Sequence, residues 1–269
     1  MRCAFQRNPQ VRIGELPLLM GQKENRAVGT VLIVSPDRTA IGQISDVLRE
    51  HALSVDTTGE PTIALHRLNH HKFEAVVVDS ALENDALTCF RQLRASSLNR
   101  TAIAFALTRG SEETAAALRQ GFSFIFERPL IPDSISHTLK VAYGLIVRER
   151  RRYFRYPVVV PAVLSRKNAP EVFGRTVNVS ENGLALSTSI ALVPGSEGKV
   201  QFTLTEPLLQ ITAESKVCWN DARGNAGLQF LFLPSDLASR LQMWLAQKLE
   251  QELPPLVAEK FRHSISPHE

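Results

Sequence analysis

Five short apolar runs, each followed by a segment with helical periodicity, constrain the fold more than any other feature of this chain. The runs lie at Thr30–Val34, Leu53–Thr57, Ala75–Val78, Ala102–Leu107 and Phe122–Phe126. The helical patterns cover 38–51, 61–70, 85–95 and 112–120, and a fifth begins near Asp133. Nearly continuous apolar runs are typical of parallel strands that are covered on both faces. Consecutive strand–helix units therefore predict an α/β domain with a doubly wound, five-stranded parallel sheet.

The pattern changes after Arg155, where short extended runs follow one another with Gly and Pro turns between them. The runs are Val158–Ser165, Val172–Val179, Leu184–Ser187, Lys199–Leu204, Leu209–Trp219 and Gly227–Leu233. Closely spaced strands without intervening helices predict an antiparallel sandwich or barrel, and of these we expect a six-stranded barrel. An amphipathic helix then follows Ser235, so we expect an all-β domain that ends in one helix.

A chain of 269 residues with 44% hydrophobic residues is long enough to build two separate cores. We expect a loose extension over 1–28, the α/β domain over 29–147, the barrel and its helix over 148–252, and a flexible tail over 253–269. The fifth helical pattern contains no Gly or Pro between Gly144 and Arg155. The sequence therefore predicts no flexible linker between the two domains.

The basic excess of the chain is concentrated between Arg148 and Arg155. This segment holds five arginines and one glutamate, so its charge equals the net charge of +4 of the whole chain. Proteins that bind nucleic acids usually spread their basic residues along a face that can follow a phosphate backbone. A compact arginine cluster instead favours a small, multiply charged anion, which guanidinium groups bind in pairs of hydrogen bonds. We therefore expect no nucleic-acid partner.

Several other functional classes find no support in the sequence. No apolar run approaches the length of a membrane span, and the first residues do not resemble a secretory signal. The three cysteines are far apart and lack metal-ligand spacing, which favours free thiols in the cytoplasm. No nucleophile–base set, P-loop or dinucleotide motif is present. We therefore expect a cytoplasmic protein that is not an enzyme and holds no metal.

Two short motifs follow one another at the start of the predicted barrel. Arg151-Arg152-Tyr153-Phe154-Arg155 has the spacing R-x-x-x-R, and Asn178-Val179-Ser180-Glu181-Asn182-Gly183 has the pattern N-x-S-x-x-G. In this order and on these elements, the motifs resemble those of the PilZ family of cyclic di-GMP receptors, from about Arg150 to Glu250. The family more often has Asp at the position of Asn178. The resemblance implies a β-barrel with a C-terminal helix that binds cyclic di-GMP.

The resemblance also suggests a role for each motif residue. A guanine offers O6 and N7 as adjacent acceptors for a guanidinium fork, and Arg151 and Arg155 are assigned to these Hoogsteen edges, to the phosphates and to the stacking faces of the bases. Arg152 is assigned to a phosphate. Asn178 can contact a base edge and Ser180 a phosphate, whereas Gly183 fits a positive φ or a close backbone approach.

A purely structural interpretation of the arginines remains open. Cations near a helix C-terminus are stabilised by about 0.3–1 kcal/mol through the helix dipole, without any ligand. That interpretation leaves the spacing of Asn178, Ser180 and Gly183 unexplained. The favoured function is therefore an effector that relays the level of cyclic di-GMP to a protein partner. The sequence specifies neither that partner nor the oligomeric state.

The α/β domain resembles response-regulator receiver domains over about Thr30 to Val147. Asp79 takes the place of the phospho-acceptor, Thr108 that of the switch hydroxyl, and Arg128-Pro129 that of the usual Lys-Pro pair. Ser35 and Pro36 replace the acidic pair that holds Mg²⁺ in the family. Two lost carboxylates predict little Mg²⁺ affinity, so a receiver-like scaffold without phosphorylation is favoured. The alternative is a phosphorylation-driven response regulator that uses Asp79, with the barrel as a ligand-independent adaptor.

Overall fold

The structure is a computed structural model that describes residues 27–167, 169–221 and 223–253. The extension predicted over 1–28 and the tail predicted over 253–269 lie outside the described residues, apart from residues 27, 28 and 253. Within the described residues, the chain divides into two compact units at Arg150 and Arg151. We call residues 27–150 the N-terminal unit and residues 151–251 the C-terminal unit.

The N-terminal unit is the predicted doubly wound α/β fold. Its five strands are all parallel in the order β2-β1-β3-β4-β5, the flavodoxin-like order that receiver domains share. The strands are β1 Gly29–Val34, β2 Leu53–Thr58, β3 Ala75–Asp79, β4 Ile103–Thr108 and β5 Phe124–Glu127. The helices are α1 Arg38–Glu50, α2 Pro61–His70, α3 Asn84–Ala95, α4 Ser111–Gln120 and α5 Pro132–Tyr153.

The central strands β1, β3 and β4 carry the core of this unit. All five residues of β3 are buried. Strands of a parallel sheet that is covered on both faces are typically apolar throughout, which explains why residues 75–78 are all apolar. One face packs Leu32, Val76 and Ala104 against the side chains of α2 and α3, such as Leu68 and Leu93. Ligands of open α/β sheets bind where the carboxyl ends of neighbouring strands meet. In this sheet, Asp79 is the last residue of β3, and Ser35 and Arg128 directly follow β1 and β5 at the same edge.

The C-terminal unit is the predicted antiparallel barrel. Six strands follow the order β8-β7-β10-β11-β12-β9, and β9 pairs again with β8, so the sheet closes on itself. The strands are β7 Pro161–Arg166, β8 Ala169–Ser180, β9 Gly183–Thr188, β10 Glu197–Leu204, β11 Leu209–Asn220 and β12 Asn225–Phe232. A further strand of two residues, β6 Tyr156–Pro157, was not predicted from the sequence. It pairs with β8 at the end of this strand order.

A single helix, α6 Ser235–Glu252, follows the last strand as predicted. It buries Leu241, Trp244, Leu245 and Leu249. Trp244 is 2% exposed and donates its indole N–H to the backbone oxygen of Thr205 at 3.1 Å, which ties the helix to the β10–β11 connection. None of the described helices has the length and apolar character needed to cross a membrane.

Candidate ligand site beside the short strand

The short strand β6 brings the two sequence motifs together. Tyr156 pairs with Val179 and Pro157 pairs with Asn178 in antiparallel register. Arg155 immediately precedes β6, so its side chain lies at the second motif. Its Nη1 donates to Oδ1 of Asn178 at 3.4 Å. Residues that lie 23 positions apart in sequence therefore share one hydrogen bond at the barrel surface.

A β-bulge decides which way Asn178 faces. Thr176 pairs with Leu186 and Asn178 pairs with Ala185, so Val177 is an extra residue on β8. Thr176 and Val179 are fully buried, whereas Asn178 is only half-buried. Without the extra residue, the two-residue alternation of a strand would place Asn178 on the same buried face as Thr176. The bulge therefore turns the amide of Asn178 out toward Arg155.

Ser180 lies in the tight turn that joins β8 to β9. It pairs with Gly183 across a two-residue loop, and its buried hydroxyl donates to the backbone oxygen of Gly183 at 3.0 Å. The hydroxyl hydrogen is thus used within the turn, and the oxygen lone pairs remain as acceptors. The phosphate contact predicted for Ser180 requires this hydroxyl to rotate away from the turn.

Gly183 is placed at a close backbone approach rather than at a positive φ. A Cβ atom at this position would lie 2.1 Å from the backbone oxygen of Leu228 on β12. Only glycine fits there without moving one strand. The sequence left open a positive φ or a close backbone approach at Gly183, and the structure has the close approach.

Replacing Gly183 with alanine is expected to destabilise the barrel. Forcing a methyl group against a strand carbonyl should cost about 1–3 kcal/mol, as overpacking does elsewhere. Urea unfolding followed by tryptophan fluorescence measures the change. Gly42→Ala is the control, because no atom lies within 4 Å of the added Cβ on helix α1. Equal stability of both variants would contradict the close approach of Gly183 to Leu228.

The other two arginines of the motif occupy the end of α5. Arg151 is half-buried, and its Nε is buried without a hydrogen-bond partner among the described residues. Arg152 is exposed. The helix ends where the N–H of Phe154 bonds to the oxygen of Arg151 at 3.1 Å, and Phe154 is buried. An unpaired buried donor is unfavourable, so Arg151 can gain a bond from an added acceptor.

The guanidinium of Arg155 is cationic in this environment. The residue is exposed as a whole, but surrounding atoms desolvate its charged group and lower its pKa below the ordinary arginine value. Arginine stays protonated in proteins even so. A partly desolvated cation interacts more strongly with an anion than a fully hydrated one does.

Thr176 supports the backbone beside the two motifs, a role that was not predicted from the sequence. Its hydroxyl donates to the oxygen of Val158 at 2.5 Å and accepts from the N–H of Val160 at 3.0 Å. These bonds hold the segment between β6 and β7 against β8. A threonine within a β-rich run gives no signal of such a role, because the contact depends on the path of the preceding loop.

A second cluster of polar side chains surrounds Asp79 at the carboxyl end of the parallel sheet. Asp79 is fully buried, and its two oxygens accept four hydrogen bonds. Oδ1 accepts from the N–H of Ala81 at 2.9 Å and from Nη1 of Arg128 at 3.2 Å. Oδ2 accepts from the hydroxyl of Ser35 at 2.5 Å and from Nη2 of Arg128 at 2.9 Å. Every lone-pair direction of this carboxylate is therefore used.

Arg128 also reaches a second carboxylate. Its Nη2 lies 3.3 Å from Oδ2 of Asp37, whose Oδ1 caps helix α1 by accepting from the N–H groups of Thr39 and Ala40. The bond to Asp79 is the main reason that the pKa of Arg128 is raised. The pKa of Asp37 is lowered, chiefly by the backbone N–H of Ala40. A guanidinium thus links two acidic side chains at this edge.

Thr108, at the predicted switch position, is buried, and its hydroxyl lies beside a residue of helix α4. Its hydroxyl is 2.8 Å from that of Thr114. Glu113 on the same helix accepts from Ser80 and from the N–H of Arg109, which lowers its pKa to about 2.

Within the described residues, no group of three or more His, Cys, Asp or Glu side chains is arranged to hold a metal ion.

Comparison with known proteins found one matching family model and several similar solved structures. Residues 149–247 match the family model described as PilZ domain. A response regulator from Chloroflexus aurantiacus is 23% identical, with a TM-score of 0.40, and the match covers 45% of this chain and 98% of that one. No curated protein matches the chain.

Two further solved structures are similar at lower identity. The receiver domain of a sensor histidine kinase from Pseudomonas aeruginosa is 19% identical, with a TM-score of 0.39, over 43% of this chain and 98% of that one. The inhibitor of motility from Bacillus subtilis is 19% identical, with a TM-score of 0.32, over 36% of this chain and 50% of that one. Residues 149–247 of this chain form a PilZ domain, and it follows an α/β domain with the strand order of receiver folds.

Proposed function

We propose that this protein is a bacterial, cytoplasmic signalling protein that binds cyclic di-GMP through its C-terminal unit and is not an enzyme. The ligand residues are those of the two motifs, Arg151, Arg152, Arg155, Asn178, Ser180 and Gly183. The hydrogen bond between Arg155 and Asn178 is the observation that carries this proposal. This bond supports the view that both motifs belong to one site, because motifs that matched by chance would not be expected to lie in contact.

Each residue has a chemical role in the proposed complex. Arg155 offers a guanidinium fork to O6 and N7 of a guanine, and Asn178 orients that fork while its own NH₂ group remains available to a base edge. Arg151 has a buried, unpaired Nε that an acceptor on the ligand can satisfy. Arg152 is exposed at the helix end and supplies charge toward a phosphate.

The route to a protein partner involves helix α5. This helix runs from Pro132 to Tyr153 as one element, so Arg151 and Arg152 share a helix with residues of the N-terminal unit. A ligand that fixes these arginines acts on that shared helix. We propose that the messenger level is relayed in this way to a partner protein that binds the effector.

The N-terminal unit acts in this proposal as a receiver-like scaffold that is not phosphorylated. Phosphoryl transfer to a carboxylate needs a free lone pair and a hard cation to balance the developing charge. The oxygens of Asp79 are already occupied by Ser35, Ala81 and Arg128, and the guanidinium of Arg128 supplies the positive charge. This geometry favours the scaffold over the phosphorylation-driven alternative.

Thermal unfolding with and without nucleotides tests the function. A ligand at a hundred times its Kd stabilises a protein by about 2.7 kcal/mol, so cyclic di-GMP should raise the Tm of the barrel by several degrees. Cyclic di-AMP carries the same phosphates, but adenine presents a donor where guanine has O6. It should therefore give a much smaller shift. Equal shifts, or no shift with either nucleotide, would refute the proposal.

A further inference from the structure

Tyr156 is held by two side chains of helix α6. Its ring meets that of Trp244 edge to face, with centroids 5.3 Å apart and an interplanar angle of 85°. The Nζ of Lys248 lies 5.8 Å from the centroid of the Tyr156 ring and 5.5 Å from that of Trp244. Both arrangements are favourable, the first between aromatic quadrupoles and the second between a cation and two ring faces.

The burial of Lys248 indicates that its ammonium group is stabilised by these two rings. Its side chain is only 9% exposed, and the nearest carboxylate oxygen, on Glu206, is 3.7 Å away on a side chain that is 86% exposed. An ion pair with so exposed a partner compensates little for the burial of an ammonium group. The rings of Tyr156 and Trp244 supply part of the missing stabilisation.

The strand β6 depends on this anchor because it is so short. It has only two residues and pairs only with β8. The ring of Tyr156 contacts Trp244 and Lys248 of helix α6. The guanidinium of the preceding residue, Arg155, donates instead to Asn178. Because the two residues are adjacent in the chain, fixing the ring of Tyr156 restricts the backbone that directs Arg155.

We infer that Tyr156, held by Trp244 and Lys248, is a positioning residue for Arg155 in the ligand site. The inference rests on the proposed function, since it assigns a role within that site. Lys248 acts through the ring of Tyr156 and not by touching the nucleotide. Helix α6 thereby takes part in ligand affinity without contributing a ligand contact.

A double-mutant cycle on the full chain separates positioning from direct contact. Isothermal titration with cyclic di-GMP should show Lys248→Met and Tyr156→Leu each weakening binding by roughly threefold to tenfold. In the Tyr156→Leu background, Lys248→Met should have no further effect, because the ring through which it acts is gone. An undiminished effect in that background means direct contact and overturns the inference. Arg240→Met removes the same charge from an exposed position of α6 and should leave affinity unchanged.

Hydrogen exchange on the ligand-free protein provides a second readout. Peptides that cover residues 153–158 should exchange faster in Lys248→Met than in the wild type, whereas peptides from β11 should not change. Unchanged exchange together with unchanged affinity overturns the inference even though the wild type binds the nucleotide. If the wild type does not bind cyclic di-GMP, the proposed function fails, and the positioning role falls with it.

Discussion

Replacing Arg155 with alanine should weaken the binding of cyclic di-GMP by about tenfold to a hundredfold. The reason is the guanidinium fork, since one bidentate pair with a guanine edge contributes about 1–3 kcal/mol, and each 1.4 kcal/mol is about tenfold in affinity. The variant also leaves Oδ1 of Asn178 without its bond from Arg155. Isothermal titration of the variant and the wild type measures the difference.

Two further variants make this prediction specific. Arg155→Lys keeps the charge but loses the planar fork, so it should recover only a small part of the lost affinity. Arg175→Ala removes an arginine from the exposed side of the same strand β8 and should bind like the wild type. If Arg155→Ala and Arg175→Ala weaken binding equally, general charge rather than a built site explains the binding.

Introducing an acidic residue and a lysine should convert the N-terminal unit into a phosphorylatable one. In Ser35→Asp/Arg128→Lys, Asp79 loses the two bonds from the guanidinium and the bond from Ser35. The new carboxylate joins Asp79 and Asp37, and oxygen ligands of this kind hold Mg²⁺. With acetyl phosphate and Mg²⁺, intact mass spectrometry should show one added phosphoryl group on a large fraction of this variant. The wild type should show none.

The controls for this conversion follow from the same contacts. Adding Asp79→Asn should abolish the mass increase, and circular dichroism should show that every variant is folded. Arg128→Lys alone should remain largely unmodified, because Ser35 still occupies Oδ2 and the carboxylate needed for Mg²⁺ is missing. Phosphorylation of the wild type at Asp79 would contradict the scaffold proposal and favour the response-regulator alternative.

Much of the fold was readable in the sequence, because burial leaves a direct pattern there. Residues 75–78 of the buried strand β3 form an unbroken apolar run, and the alternation along β11 indicates its inward and outward faces. Chain order then fixed the parallel sheet and the closed barrel. The strand β6 was not predicted, because a segment of two residues is too short to show a sequence period.

The geometry of the candidate site was harder to predict from the sequence than the fold. The spacing of the motifs identified Arg155 and Asn178, but the bulge at Val177 that turns Asn178 outward is set by the register of β8 against β9. No residue type marks it. Lys248 lies on the last helix, where the sequence shows only an amphipathic pattern, and its contact with Tyr156 is created by the packing of α6.

The N-terminal unit illustrates a similar limit. The loss of acidic residues at Ser35 and Pro36 was plain from the sequence. The reach of Arg128 to both Asp79 and Asp37 was not, because it depends on how the loop after β1 places the N-cap of α1. Asp37, which lies one residue beyond the positions of the family's acidic pair, is part of the cluster.

Isothermal titration of the wild-type chain with cyclic di-GMP tests the central claim most directly. The account predicts saturable binding with a micromolar or tighter Kd, with affinity that falls as salt rises, because arginine–phosphate contacts are screened by ions. The absence of saturable heat at ligand concentrations well above the micromolar range would contradict it.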